Sequence, residues 1–258
     1  MDTPLQTDAY LERISYSGPR EPTIETLRGL HRAHLLAVPF ENLDIHIGRE
    51  IVLDPERLVN KIVHERRGGF CYELNGAFAT LLRALGFEVS LLSAEVATPG
   101  VGFTPPFDHL LLRVDLDEPW IADVGFGDCF VEPIRADGSI QRDGDHAFQV
   151  QRDDNHHILR RRDDTGDWKD EYRFTMTPFA LDDFSERCQY HQTSPESHFR
   201  RNTVCSRLTP DGRISLTPDR LIRTSGSDRT ETPIADQDAY HAALAQHFGI
   251  VLPITQTA

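Results

Sequence analysis

The chain reads as an α+β protein on three observations. Apolar residues recur at helical spacing through the first third. From Phe87 the period shortens to β-rich segments parted by Gly, Pro and Asp turns. The last stretch combines a hairpin with a single helix. Helices, then strands, then a mixed end is the segregated order that distinguishes α+β from alternating α/β architectures.

In the first segment, Tyr10, Leu11 and Ile14 mark a short amphipathic helix closed by Ser17-Gly18-Pro19. Thr23 is placed to cap a second helix carrying Ile24, Leu27, Leu30, His31, His34 and Leu35, stopped by Pro39. Phe40-Glu41-Asn42-Leu43-Asp44 reads as a break. Pro55 suits the first turn of a third helix with Leu58, Ile62 and Val63 on one face. A fourth begins near Cys71, with Phe70, Leu74, Ala77, Phe78, Leu81, Leu82 and Leu85 in register, and ends at Gly86. EVSLLSAEV, HLLLRVDL, WIADVGF, HAFQVQRD and HHILRRRD follow as strands of an antiparallel sheet or small barrel. Residues 178–200 read as irregular, with a helix through Leu181–Cys188. VCSRLT and RISLT form a hairpin turning at Pro210-Asp211-Gly212. Asp236 is placed to cap a last helix bearing Tyr240, Leu244 and Phe248.

Composition bounds the function. The 258 residues, 39% hydrophobic and 26% charged, suffice for a sizeable core in one large or two to three small domains. No apolar run approaches the ~20 residues that cross a bilayer. MDTPLQTDAYLER has neither the basic start nor the apolar core of a signal peptide, so a cytoplasmic location is expected. A net charge of −14 argues against nucleic acid and anionic membrane as partners. Cys71, Cys129, Cys188 and Cys205 are scattered, without a CxxC pair, and no HExxH spacing occurs among twelve histidines. Neither a disulfide framework nor a metal site is expected. The mixed-sign run Arg152–Glu171 reads as a solvated hairpin and is given no role.

Chemistry concentrates around Arg66-Arg67-Gly68-Gly69-Phe70-Cys71-Tyr72-Glu73-Leu74-Asn75. Cys71 falls in a first helical turn, where free N–H groups and the dipole favour an anion and lower a thiol pKa. Alternatively it packs as a small hydrophobe. A cysteine nucleophile needs a base and a group to orient that base. His109 opens an apolar strand beside a turn, and Asp123 stands in the apolar stretch WIADVGFG, where a carboxylate is costly unless paired. HLLLRVDLDEPWIAD reads as a hairpin whose arms would set these two side by side. Local satisfaction at a strand end, for His109, and turn capping near Gly125, for Asp123, are the alternatives.

Five pieces of sequence then resemble one family. PFENLD (39–44), RRGGFCYELNGAF (66–78), FDHLLLRV (107–114), WIADVGFG (120–127) and YHQTSPESHF (190–199) are similar to arylamine N-acetyltransferases, in order from residue 39 to residue 199. The resemblance implies a helical bundle over 1–86 carrying the nucleophile, a β-barrel-like domain over 87–190 carrying the histidine and aspartate, and an α/β lid over 191–258. The triad, of cysteine-protease-like arrangement, is then Cys71, His109 and Asp123. Glu41 and Arg67 resemble a supporting ion pair, and Phe40, Phe126 and Phe199 match the aromatic walls of an acceptor pocket. The implied reaction is ping-pong acetyl transfer from acetyl-CoA, through an acetyl-cysteine, to the nitrogen of arylamines, hydrazines or N-hydroxyarylamines. No cofactor is held permanently, and a monomer or homodimer is expected. Pro105-Pro106 offer no N–H to a pyrophosphate, so the CoA contacts stay unassigned. The tail Gly249–Ala258 is placed to fold toward the site. Another acyl-CoA-dependent amide-forming enzyme, a cysteine hydrolase and a non-catalytic binding module are the other readings.

Overall fold

A computed structural model of the chain describes residues 3–163 and 166–253. The first segment folds into α1 (Thr3–Arg13), α2 (Ile24–Ala37), β1 (Phe40–Glu41), α3 (Leu43–Ile47), α4 (Pro55–Val59) and α5 (Cys71–Ala84). Thr23 caps α2, its hydroxyl accepting the Thr26 N–H at 3.3 Å. Asp54 caps α4 with Pro55 in its first turn, and the helix passes into a π-helical turn at Asn60–His64. Buried Arg13 donates to the carbonyls of Ala37 (3.0 Å) and Ile62 (2.9 Å), satisfying helix-end oxygens that would otherwise be stranded. The expected break at Phe40–Asp44 is instead a two-residue strand running into a short helix. Its backbone pairs with Cys205 and Ser206, a distant partner that no local pattern announces.

The middle segment supplies β2 (Glu88–Thr98), β3 (Gly102–Phe103), β4 (His109–Asp115), β5 (Pro119–Ala122), β6 (Ile134–Arg135), β7 (Gln141–Asp143), β8 (His146–Asp153), β9 (His156–Asp163) and β10 (Lys169–Phe179). They form one antiparallel sheet in the order β6-β5-β4-β2-β10-β9-β8-β7, with β3 added to β2. Gln141 of β7 accepts from the Arg135 N–H of β6 at 2.9 Å, so the edges meet and the sheet nearly closes into a barrel. Strand alternation divides its residues. Leu110, Leu112 and Val114 pack outward with α5, while Leu111, Ile121, Phe148, Leu159 and Phe174 fill the interior.

Within residues 178–200, the helix expected through Leu181–Cys188 is a 3-10 turn (Leu181–Phe184) that continues as α6 (Ser185–Thr193), and α7 (His198–Arg201) stands in the part expected to be irregular. A five-stranded sheet follows, made of β11 (Cys205–Thr209), β12 (Gly212–Leu216), β13 (Arg220–Ser225) and β14 (Asp228–Pro233), with β1 on its edge. Helix α8 (Gln237–Phe248), capped by Asp236, lays Tyr240, Leu244 and Phe248 on this sheet. No helix among the described residues is long and apolar enough to cross a membrane. The last five residues of the tail expected to approach the site, 254–258, lie outside the described residues.

Candidate active site

Cys71 is the first residue of α5 and is buried. The two preceding glycines are there for close approach. A Cβ on Gly68 would lie 1.9 Å from the Pro39 carbonyl oxygen, and the Glu41 N–H donates to the Gly69 oxygen at 2.9 Å. The PFENLD segment therefore rests directly against the loop that delivers the cysteine. Tyr72 ties the same turn to the barrel, its hydroxyl donating to the Phe107 carbonyl at 2.7 Å. Phe107 sits in the left-handed region (φ 66°), a strained conformation for a residue with a side chain, two positions before His109.

His109 is the first residue of β4. Asp123, expected inside a strand, lies one residue beyond the end of β5. The register Leu112–Ala122 puts the two diagonally on one face of the hairpin, and His109 Nε2 meets Asp123 Oδ2 at 2.7 Å. With Nε2 bonded to the carboxylate, Nδ1 is the ring nitrogen left to exchange a proton. The second carboxylate oxygen accepts from Asn75 Nδ2 (2.8 Å) and the Gly125 N–H (2.9 Å). Burial alone would raise the Asp123 pKa; the charge and hydrogen bond of His109, with Asn75 and Gly125, outweigh it and hold the group below the ordinary carboxylate value.

The thiol behaves otherwise than its helix position predicts. Burial pushes Cys71 well above the ordinary thiol value, and the Asp108 and Asp123 charges add to that. An N–H from Leu110 opposes them. Desolvation outweighs the first-turn dipole, because a thiolate with no water around it lacks most of its stabilisation.

Cys71 and His109 open on one cleft of about 630 Å³ that is also lined by Phe40, Phe126 and Phe199. The Phe126 ring stands edge-on to His109 at 5.1 Å, and Phe199 lies 6.1 Å from Phe40. All three aromatic positions singled out by sequence thus share the cleft with the cysteine. A group not expected from sequence forms its far wall. Arg187 Nε donates to Asp108 at 2.6 Å, and His191 Nε2 lies 3.0 Å from the same carboxylate. Burial would raise the Asp108 pKa, but these two neighbours bring it to about 2. Arg187 and His191 come from α6, and only the chain's return past His109 brings them here. A second groove of about 560 Å³, lined by Asp44, Arg49, Lys61 and Glu73, contains none of the triad positions.

Glu41 and Arg67 pair at 2.8 Å, as members of a larger buried set. Arg67 also reaches Asp44 at 2.8 Å, while Lys61 bridges Asp44 (2.8 Å) and Glu73 (2.6 Å). Glu73 accepts the Phe70 N–H at 3.2 Å, so the network ends at the turn bearing Cys71. Lys61 could have been flagged in the sequence as a cation beside the apolar face of Leu58 and Ile62. Among the described residues no group of three or more His, Cys, Asp or Glu is arranged to hold a metal ion.

Known proteins resemble this chain over nearly its whole length. The N-acetyltransferase family model matches residues 23–257. An arylamine N-acetyltransferase / N-hydroxyarylamine O-acetyltransferase of Salmonella typhimurium is 36% identical over 247 residues, covering 94% of this chain and 88% of the relative. The solved arylamine N-acetyltransferase from Salmonella typhimurium superposes with a TM-score of 0.90 at 33% identity, covering 98% of this chain and 94% of that one. The Mycobacterium marinum arylamine N-acetyltransferase in complex with CoA does so with a TM-score of 0.86 at 30% identity, over 95% and 92% of the two chains. The chain belongs to the arylamine N-acetyltransferase family.

Proposed function

We propose that the protein moves an acetyl group from acetyl-CoA to the nitrogen of an arylamine, hydrazine or N-hydroxyarylamine through an acetyl-Cys71 intermediate. Its closest support is the His109–Asp123 bond at 2.7 Å, beside Cys71 in a cleft walled by phenylalanines. The CoA complex of the M. marinum relative supports the donor.

In this reading a buried thiol does not shed its proton to water in advance. The proton passes from Cys71 Sγ to His109 Nδ1, and Asp123 stabilises the imidazolium through Nε2–H. The thiolate attacks the thioester carbonyl, the C–S bond to CoA breaks, and CoA leaves with the proton held by His109. The amine nitrogen then attacks acetyl-Cys71, gives its proton to His109 and departs as the amide, returning the thiol. Phe40, Phe126 and Phe199 provide flat apolar walls for an aromatic acceptor. A weakly basic arylamine arrives uncharged at neutral pH, whereas alkyl amines arrive protonated and unreactive. Glu41 and Arg67 support the site without touching the reactants.

Intact-protein mass after brief exposure to acetyl-CoA tests the reading. One acetyl group is expected on the native chain and none on Cys71→Ala, and an aniline or hydrazine should remove it as the N-acetyl product. Loss of the acetyl group to water alone would identify a hydrolase. A folded native chain that takes up no acetyl group would overturn the proposal.

A further inference from the structure

Asp123 is gripped from two sides by residues whose side chains hydrogen-bond to neither Cys71 nor His109. Asn75 lies one helical turn below Cys71 on α5 and is fully buried. Its Nδ2 donates to Asp123 Oδ1 (2.8 Å) and to the Leu110 carbonyl (2.7 Å), and its Oδ1 accepts the Val124 N–H (3.0 Å). An amide with a carbonyl on one end and an N–H on the other has only one orientation that satisfies both. One side chain thus joins the cysteine helix, the residue after His109 and the carboxylate. No Cβ fits at Gly125, where it would stand 2.7 Å from Asn75 Nδ2 and 2.8 Å from the Cys71 Cα.

The second grip comes from α2. His31, also buried, accepts the Asp123 N–H on Nε2 at 3.1 Å, and its Nδ1 lies 2.7 Å from the Val131 carbonyl. A carbonyl can only accept, so Nδ1 carries the hydrogen and Nε2 the lone pair. The ring is therefore neutral with its tautomer set by its partners.

We propose that Asn75 is a positioning residue for the acyl-transfer chemistry, with His31 as its backbone counterpart. Together they fix which carboxylate oxygen faces His109 and leave the other one satisfied. Without Asn75, Asp123 Oδ1 loses its side-chain amide donor and keeps the Gly125 N–H, with the Tyr172 hydroxyl nearby, and the carboxylate can turn away from Nε2. The thiolate–imidazolium pair then loses orientation, and the thiolate forms at higher pH. This rests on the assignment of Cys71, His109 and Asp123 as the reacting triad.

The test is the rate of Cys71 alkylation by iodoacetamide across pH, located by peptide mass and read beside thermal unfolding. It needs neither acetyl-CoA nor an amine, so it stays informative if the acetyl-transfer reading fails. Asn75→Leu, similar in volume, should remain folded at the assay temperature, slow alkylation by about tenfold or more and move the midpoint of the pH profile upward. With acetyl-CoA, the same variant should lose kcat while the acceptor KM stays near native. Asn75→Asp provides an isosteric second variant. Its carboxyl can donate to Asp123 only while protonated, so its alkylation rate relative to the native chain should fall as pH rises toward 9.5. The titratable groups facing Asp123 and Cys71 are His109, Tyr172, His31, Cys129, Cys188 and Asp108, with Asp143 and Glu171 beyond. A native rate and midpoint in folded Asn75→Leu would overturn the proposal. So would a loss that only follows the unfolded fraction in both variants, since Asn75 would then be a structural link alone.

Discussion

Asp123 stays ionised in a dry setting because three donors converge on its two oxygens: His109 Nε2, Asn75 Nδ2 and the Gly125 N–H. Replacing it with Asn keeps the shape but offers His109 an amide that does not fix the Nε2–H tautomer. Asp123→Asn should therefore lower the rate of Cys71 acetylation by about 10³–10⁴-fold, measured in a single turnover, with the fold retained. The neighbouring Asp108 carries a separate prediction. Its pKa is depressed from 3.8 to about 2, so it adds stability above pH 3.8 that is lost as pH falls through 2. Asp108→Asn should cost about 1–2 kcal/mol at neutral pH and remove that part of the acid-unfolding slope, as denaturant titrations at pH 2 and 6 would read. The proposed triad was legible because a carboxylate is costly in the apolar stretch around Asp123, because the hairpin sets His109 beside it, and because RGGFCYELN and DVGFG carry a family pattern. Arg187 and His191 were not, since nothing local to α6 reveals that Asp108 will lie opposite. The thiol's environment was misjudged for a related reason: helix position can be read from spacing, whereas the depth of burial that outweighs it cannot.

At the scale of elements, the buried network joins β1, α3, the π turn and α5 at the end that presents Cys71. Three carboxylates, Glu41, Asp44 and Glu73, share two buried cations, Lys61 and Arg67. Arg49, more exposed, lies 3.6 Å from Asp44. With anions in excess inside the protein, one carboxyl tends to keep its proton. Burial, opposed by Lys61, raises Glu73 to about 7. A folded-state pKa raised above the unfolded 4.5 means the native state binds the extra proton, so stability falls as pH climbs from 4.5 through 7. Glu73→Gln retains the size and a donor-acceptor end but cannot ionise. It should flatten the stability profile across that window in thermal unfolding. Arg67→Met, by contrast, strands Glu41 without its cation and leaves Asp44 to Lys61, and should cost about 3–5 kcal/mol. The sequence pointed to one ion pair here, through its family likeness. Lys61 carried a local signal as a cation beside an apolar face, but its pairing with Asp44 and Glu73 stayed hidden because these residues come from separate elements.

Across the whole molecule, the helical segment and five strands of the barrel were recognisable from period and composition, but β10, which joins β2 to β9, and the joints between distant segments were not. Strand β1 was taken for a break because two residues carry no period, and its pairing with β11 spans more than 160 positions. The polar pair β13 and β14 lacks an apolar rhythm for much the same reason, most of its side chains being exposed. Asn42, inside PFENLD, is the tightest of these joints. Its Nδ2 donates to the carbonyls of Phe199 (2.9 Å) and Asn202 (2.6 Å), and its Oδ1 accepts the Val204 N–H (2.9 Å). One buried amide thereby fastens α7, and with it the Phe199 wall of the cleft, to the segment that also seats the Cys71 loop. Removing it leaves the triad's own hydrogen bonds intact while freeing the wall. Asn42→Ala should raise the acceptor KM severalfold, leave the rate of Cys71 acetylation within about twofold of native, and speed amide exchange over residues 199–204. If the acetylation rate collapses while the acceptor KM holds, α7 is not an acceptor wall. Asn42 would then act on the cysteine loop through β1, and the aromatic pocket would have to be redrawn around Phe40 and Phe126 alone.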